Sequence, residues 1–120
     1  MKKLLVFLLL VACSEKKSDG RFRQKSLMQN FKSRPNGILI DVRTEDEFNV
    51  GALPNAVNIV YDDSFTNKLD GFASGAQIFV YCAKGKRSEK AAEIMRSKGF
   101  IEVYQLKGGL DAWKEAKMPM

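Results

Sequence analysis

The sequence predicts an α/β domain with an open parallel sheet that is flanked by helices on both faces. Apolar strand-like runs alternate with amphipathic helical segments, an order typical of parallel sheets with helical connections. The run Ile38–Val42 is apolar apart from Asp41, as in a strand buried on both faces. The length of 120 residues, with 45% apolar and 28% charged content, indicates one globular domain.

The predicted strands and helices take turns along the chain. The strands are expected at residues 38–42, 56–60, 78–81 and 102–106. The helical segments are expected at residues 26–33, in a short stretch after Thr44, at 64–72, at 88–98, and in a final stretch that contains Trp113.

Two of these helices carry end signals. Thr44 and Glu47 stand three residues apart, as in a capping box, and Gly51 and Pro54 end that short helix. The segment 88–98 is the strongest helix, because its apolar residues recur at helical spacing and a glycine follows as a C-terminal stop. The residues expected to face the core from that helix are Ala91, Ala92, Ile94 and Met95.

The N-terminal segment is expected to be a targeting signal. Lys2 and Lys3 precede the apolar run 4–11, which is too short to span a bilayer of about 30 Å. Leu10-Val11-Ala12-Cys13 resembles the bacterial lipobox, whose cysteine is lipidated and becomes the new N-terminus. The other interpretation is a buried N-terminal strand or helix with an incidental cysteine.

The lipobox interpretation divides the chain into a lipoprotein signal peptide at 1–13, a polar tether at 14–21 and a domain at 22–118. The mature protein is then an exported lipoprotein, anchored on the periplasmic side of a membrane by acyl chains on Cys13. Ser14 after that cysteine favours the outer membrane if the cell has two membranes. Lipidation of Cys13 also leaves Cys82 without a disulfide partner in the chain.

Composition excludes several kinds of site. The chain has no histidine, which excludes Cys-His and Ser-His pairs and histidine-ligated metals. Two cysteines cannot form a cysteine-only zinc site, so we expect no metal and no cofactor. The formal charge of +6 becomes +4 without Lys2 and Lys3, which fits small anionic substrates or an anionic membrane surface. No basic stripe interleaves with aromatic residues, so we expect no nucleic-acid partner.

The segment Cys82–Arg87 joins a predicted strand to the strongest predicted helix and carries a thiol, a glycine and three cations. A tight loop entering a helix N-terminus turns backbone N–H groups inward, and Gly85 permits the curl. The helix dipole lowers a thiol pKa by roughly one unit, and the cations lower it further. Cys82 is therefore predicted to be an ionised nucleophile. The other interpretation is a buried structural thiol beside a solvated basic loop.

Three stretches of the chain, in order, resemble rhodanese-like domains. Residues 81–88, with Ala91-Ala92 and Gly99 after them, resemble the active-site loop and following helix of that family. Residues 106–109 and Trp113 resemble its closing segment. The stretch that resembles the first signature of the family consists of Leu39-Ile40-Asp41-Val42-Arg43, Glu47-Phe48, Gly51, Pro54, Ala56 and Asn58-Ile59. The resemblance runs from about residue 22 to residue 117 and implies an open parallel sheet flanked by helices.

The resemblance also implies a sulfurtransferase. The cysteine would take a sulfane sulfur from a donor such as thiosulfate, become a persulfide, and pass the sulfur to cyanide, a small thiol or a protein cysteine. Carried over to this chain, Cys82 is the nucleophile. Lys86 and Arg87 are the best candidates to meet an anionic donor. The amide cradle that binds the substrate sulfur is formed by Ala83, Lys84, Gly85, Lys86 and Arg87.

Other matching residues are expected to support the structure. Asp41, Arg43 and Glu47 would organise the fold, with an ion pair between Arg43 and Glu47. Gly108-Gly109 would serve tight packing. Where the family often has a histidine this chain has Ala52, and we expect altered local packing rather than lost catalysis.

Two rival functions stay open. Arsenate reductases and phosphatases of the same fold carry one more residue between cysteine and arginine, whereas four residues separate Cys82 from Arg87 here. The shorter loop favours sulfur over a tetrahedral oxyanion. A rhodanese-like module that binds a partner, or carries a persulfide without thiosulfate turnover, is the second rival.

Overall fold

The computed structural model describes residues 37–118 and residue 120. Strands and helices alternate along this part of the chain, as predicted. Its strands are β1 (Gly37–Asp41), β2 (Val57–Asn58), β3 (Gln77–Tyr81) and β4 (Glu102–Gln105). Its helices are α1 (Glu45–Val50), α2 (Phe65–Lys68), α3 (Lys86–Ser97) and α4 (Gly109–Glu115), and a 3-10 turn at Leu69–Gly71 follows α2.

The four strands form one parallel sheet in the order β2-β1-β3-β4. β1 pairs with β3 over its whole length, from Gly37 opposite Gln77 to Asp41 opposite Tyr81. The chain lays β2 on one side of β1 and then crosses over to lay β3 on the other side. The carboxyl ends of β1 and β3 therefore flank a topological switch point, the place where open α/β sheets bind ligands.

Successive strand residues point to opposite sides of the sheet, so apolar side chains lie on both faces. Helices cover both faces and form two cores. One core contains strand residues such as Ile40 and Val80 and is covered by α3, α2 and the 3-10 turn. The other core contains Leu39, Phe79 and Tyr81 and is covered by α4, whose Trp113 is buried in it. These two cores confirm the predicted α/β class with helices on both faces.

Local signals placed the elements well, with two informative differences. The capping box of α1 is present, since the Thr44 hydroxyl accepts from Glu47 N–H and the Glu47 carboxylate accepts from Thr44 N–H. β2 has two residues instead of five, yet Ile59 N–H still donates to Asp41 O at 2.9 Å. α3 begins at Lys86 rather than Ser88, because Cys82 Sγ accepts the N–H of Ser88 and so caps the first turn.

Several predictions fall outside the described residues. The signal peptide at 1–13 with its lipidated Cys13, the tether at 14–21 and the helix at 26–33 all belong to this group. Within residues 37–118, no helix is both long enough and apolar enough to cross a membrane.

Candidate active site

The turn between β3 and α3 folds around the sulfur of Cys82. Cys82 follows β3 directly, and only 1% of its surface is exposed. Gly85 N–H donates to Cys82 Sγ at 3.0 Å, and Ser88 N–H donates to the same sulfur at 3.4 Å. Gly85 has a φ of 104°, a conformation that L side chains rarely adopt. The glycine therefore allows the turn to close on the sulfur.

The same contacts explain the early start of α3. Ser88 is the third residue of α3, and a capping side chain normally accepts the N–H at this position. The residue before the helix is Gly85, which has no side chain, so the Cys82 sulfur accepts that N–H instead. Lys86 and Arg87 consequently lie in the first turn of α3 rather than in the loop.

Hydrogen bonds favour the ionised form of the Cys82 thiol. Burial raises the pKa of this thiol, but the Ser88 side chain and the main-chain N–H groups of Ser88, Gly85 and Lys84 outweigh burial and lower the pKa below its ordinary value of 9.0. The direction is the predicted one. The groups chiefly responsible are short-range donors rather than the loop cations.

The first residues of α4 hold the other side of the loop. Leu110 N–H donates to Cys82 O at 2.8 Å, and Asp111 N–H donates to Ala83 O at 2.9 Å. A Cβ on Gly109 would lie 2.5 Å from both of these carbonyl oxygens, which is closer than side chains approach. Gly109 is therefore needed for the close packing of α4 against the loop, the role expected of the Gly108-Gly109 pair.

Arg87 is held by α1. Its Nη1 and Nη2 donate to Glu47 Oε1 and Oε2 at 2.8 and 3.1 Å. This hydrogen-bonded pair is the main reason why the pKa of Glu47 falls to about 2. The predicted ion pair between Arg43 and Glu47 is wrong, because Glu47 faces the first turn of α3 across the switch point.

Arg43 instead pairs with Asp41, at the end of β1. Arg43 Nη2 lies 2.7 Å from Asp41 Oδ2, and Arg43 Nε lies 3.0 Å from both carboxylate oxygens. Residues two apart on an extended chain share a side, which brings these two side chains together. Arg43 Nη2 also donates to Gly51 O at 2.6 Å and so ties the end of α1 to the sheet. The pair is buried, with 0% of the Asp41 side chain exposed.

Basic side chains line an open groove of about 740 Å³ beside the loop. Lys86 is among them, so the structure leaves this cation facing solvent where an anion can approach, whereas Arg87 is committed to Glu47. The positive charges of the groove attract anions. The residues that line it are Lys84, Gly85, Lys86, Glu89, Gln105, Lys107 and Gly108.

The arrangement can stabilise negative charge on one sulfur. Main-chain donors that face a buried atom bind an anion there without further reorganisation. A thiolate carries that charge on Cys82 Sγ, the atom that these donors contact. In the part of the chain that the structure describes, no group of three or more Cys, Asp or Glu side chains is placed to hold a metal ion.

A family model of the rhodanese-like domain matches residues 23–116. The matched region includes the whole sheet, the loop around Cys82 and α4. The chain belongs to the rhodanese-like family.

Solved structures of other rhodanese-like domains share this fold. A rhodanese-related protein from Thermoplasma volcanium is 27% identical, with a TM-score of 0.70, over 80% of this chain and 91% of that one. A rhodanese-like domain protein from Staphylococcus aureus is 30% identical, with a TM-score of 0.66, over 75% of this chain and 86% of that one.

Curated relatives match this chain over only part of their own length. The tRNA uridine(34) hydroxylase of Wolbachia sp. subsp. Brugia malayi is 35% identical over 100 residues, which are 80% of this chain and 37% of the relative. The adenylyltransferase and sulfurtransferase UBA4 of Debaryomyces hansenii is 34% identical over 95 residues, which are 70% of this chain and 21% of the relative. The chain thus spans about two fifths or less of either protein.

Sequence reasoning missed two residues of the rhodanese-like site. The Ser88 hydroxyl lies 3.4 Å from Cys82 Sγ, and Gln105 Nε2 lies 3.1 Å from that hydroxyl. Ser88 belongs to the stretch 81–88 that resembles the active-site loop, but the sequence analysis assigned it no role, although a hydroxyl in the first turn of a helix is a local signal. The available signal for Gln105 was weaker: it is a polar residue at the end of β4, on the strand side that Val103 uses to face α3.

Proposed function

We propose that this rhodanese-like domain moves a sulfane sulfur from an anionic donor, such as thiosulfate, to a thiophilic acceptor through a persulfide on Cys82. The observation that carries the proposal is the convergence of the Gly85 N–H, the Ser88 N–H and the Ser88 hydroxyl on one buried sulfur. Membership of a family that includes a protein named as a sulfurtransferase supports the same reaction class.

The proposed reaction uses the Cys82 thiolate, a sulfur donor and a sulfur acceptor. The Cys82 thiolate attacks the outer sulfur of thiosulfate, a new S–S bond forms, and the S–S bond of thiosulfate breaks. The electron pair of the broken bond leaves with sulfite. A cyanide ion, a small thiolate or a protein thiolate then attacks the outer sulfur of the persulfide, and Cys82 leaves as a thiolate. The donors around Sγ hold the negative charge of the thiolate. In the persulfide the charge lies on the outer sulfur, which the N–H groups of the cradle would hold.

Sulfur loading tests this proposal directly. The purified protein is incubated with thiosulfate, and its intact mass is measured before and after treatment with a reductant. We expect a gain of the mass of one sulfur atom that the reductant reverses. The gain must be absent in Cys82→Ala, whose fold is checked by circular dichroism. No gain with thiosulfate, an organic persulfide or a polysulfide would overturn sulfur transfer by this domain.

Two rivals predict different results. A phosphatase or arsenate reductase needs room for a tetrahedral oxyanion, whereas here the sulfur itself is the acceptor of the loop N–H groups at 3.0 and 3.4 Å. Hydrolysis of an aryl phosphate that disappears in Cys82→Ser would favour that rival. A persulfide carrier would load from an organic or protein persulfide but not from thiosulfate, and a binding module would load from none of them.

We also propose that the domain is exported and anchored through lipid on Cys13, with residues 1–13 as signal and 14–21 as tether. The order of two lysines, an apolar run and a cysteine supports this proposal. Expression with a labelled fatty acid tests it: the label should enter the wild-type protein and not Cys13→Ala. A chain without residues 1–13 should remain soluble and load sulfur, and failure to fold would show that this segment belongs to the domain.

A further inference from the structure

The Ser88 hydroxyl has one proton and two acceptors within reach. Its oxygen lies 3.1 Å from Gly85 O and 3.4 Å from Cys82 Sγ. Ser88 has 0% of its surface exposed, so its hydroxyl is enclosed by protein groups. While Cys82 is a thiol, its S–H donates to the hydroxyl oxygen and the hydroxyl proton goes to Gly85 O. Once Cys82 is a thiolate, the sulfur can only accept, so it competes with Gly85 O for the hydroxyl proton.

The Gly85 carbonyl is already served by other donors. Glu89 N–H donates to Gly85 O at 3.1 Å, as the first hydrogen bond of α3. Gln105 Nε2 donates to Gly85 O at 2.8 Å. A carbonyl oxygen has two lone pairs, and these two donors already use them. The Ser88 hydroxyl is a third donor to the same oxygen, so Gly85 O holds its proton more weakly than a carbonyl with a free lone pair would.

The orientation of the Gln105 amide is determined by its neighbours. Gln105 Nε2 is 2.8 Å from Gly85 O and 3.1 Å from Ser88 Oγ, so its two N–H groups have one acceptor each. The reversed amide would set its oxygen against the Gly85 oxygen at that distance, and two acceptors without a proton repel. Donation to the hydroxyl oxygen also leaves the hydroxyl proton free to point elsewhere.

We propose that Gln105 is a positioning residue for sulfur transfer: it occupies the Gly85 carbonyl and the Ser88 oxygen, so that the Ser88 O–H turns to the ionised sulfur of Cys82. Ser88 is then the side-chain donor to the reacting atom, and Gln105 acts through Ser88. The function of these hydrogen bonds in sulfur transfer rests on the proposed function. The hydrogen bonds themselves act on the thiolate, the state in which Cys82 Sγ carries the negative charge.

Gln105 is neutral at every pH, so substituting it leaves the charges around the thiol unchanged. Those charges come from the first turn of α3, the end of β1, α1 and the groove. The groups are Arg87, Asp41, Glu47, Lys84, Lys86, Lys107 and Glu89. A change in thiol ionisation in a Gln105 variant therefore reports the hydrogen bonds and not the electrostatic surroundings.

The test is the pH dependence of Cys82 alkylation by iodoacetamide, with the second cysteine of the chain replaced by Ala in every sample. We expect Gln105→Leu to raise the pH midpoint by about one unit, so that roughly ten-fold less thiolate is present at neutral pH. Gln105→Met, which keeps the length and loses the donor, must shift the midpoint in the same direction. If Gln105→Leu unfolds below the assay temperature, Gln105→Met is used in its place. Gln77→Leu at the start of β3 is the matched control and should leave the midpoint unchanged.

A double-mutant cycle separates positioning from a general structural role. Ser88→Ala should raise the midpoint by at least as much as Gln105→Leu, and adding Gln105→Leu to Ser88→Ala should change nothing further. An unchanged midpoint in both Gln105 variants would overturn the proposal, and so would an equal shift with and without Ser88. Alkylation uses no sulfur donor. The expected midpoints together with no sulfur loading would therefore sink the proposed function and leave the positioning role standing.

Discussion

Two neighbouring turns at the same edge of the sheet carry charged residues, and they are built for different purposes. The turn after β1 contains Asp41 and Arg43, whose charges neutralise each other in the interior. The turn after β3 contains Cys82, whose sulfur gathers main-chain donors while Lys86 faces an open groove. Charge at a strand end is therefore not the mark of a site. A candidate site is indicated instead by donors that converge on one atom, here Cys82 Sγ, without a fixed counter-charge beside it.

The comparison predicts its largest effect on stability in the first turn. Asp41→Asn keeps the shape of the side chain but leaves the buried Arg43 guanidinium without its counter-charge. We expect the free energy of unfolding to fall by about 3–5 kcal/mol, measured by urea denaturation. Asp46→Asn, on the exposed side of α1, is the control and should cost less than about 0.5 kcal/mol. A loss below about 1 kcal/mol for Asp41→Asn would show that the pair does not organise the fold.

The second turn depends on the close approach of α4. Gly109→Ala places a Cβ against the carbonyl oxygens of Cys82 and Ala83, and its φ of 67° adds strain. We expect a loss of about 2–4 kcal/mol in unfolding free energy and slower sulfur loading. Gly99→Ala is a matched control, because its φ is 102° but nothing lies within 4 Å of its Cβ. It should cost about 1–2 kcal/mol and leave loading intact, and equal effects of the two variants would refute the packing role.

A smaller effect is expected where α1 meets the second turn. The pKa of Glu47 is lowered from 4.5 to about 2, so its pair with Arg87 contributes stability above pH 4.5 and loses it as the pH falls towards 2. Both side chains are about a third exposed, so Glu47→Gln should cost at most about 1 kcal/mol at pH 7. The difference from wild type should shrink between pH 4.5 and pH 2 in urea denaturation. Glu45→Gln is the control, and a difference that stays constant with pH would contradict the pair.

The smallest effect concerns the groove. Lys86→Ala should reduce the catalytic efficiency with thiosulfate by roughly two- to five-fold at low salt, with a smaller reduction at high salt, because the lysine attracts the anion through solvent. Lys90→Ala, one turn along α3 and away from the groove, is the control. Kinetics at two ionic strengths provide the measurement. The same efficiency in Lys86→Ala and wild type at low salt would remove Lys86 from donor capture.

Local patterns along the chain were enough to specify the architecture and the position of Cys82. Runs such as Ile38–Val42, the capping pair Thr44 and Glu47, and the helical spacing around Met95 are local patterns, and each predicted an element that the structure contains. The position of Cys82 at the end of a buried strand followed from the same patterns, because strand-helix alternation makes the sheet parallel and brings the carboxyl ends to one edge.

Which polar groups meet one another depends on how the strands and helices are arranged in space. Arg43 pairs with Asp41, two residues away in the chain, and Glu47 pairs with Arg87, forty residues away. Gln105 reaches Gly85 and Ser88 only because β4 lies beside β3. Hydrogen bonds and ion pairs depend on distances of a few ångströms between side chains, which the strand order and register determine. Periodicity along the chain specifies which face a residue occupies, and it carries no information on which distant residue shares that face.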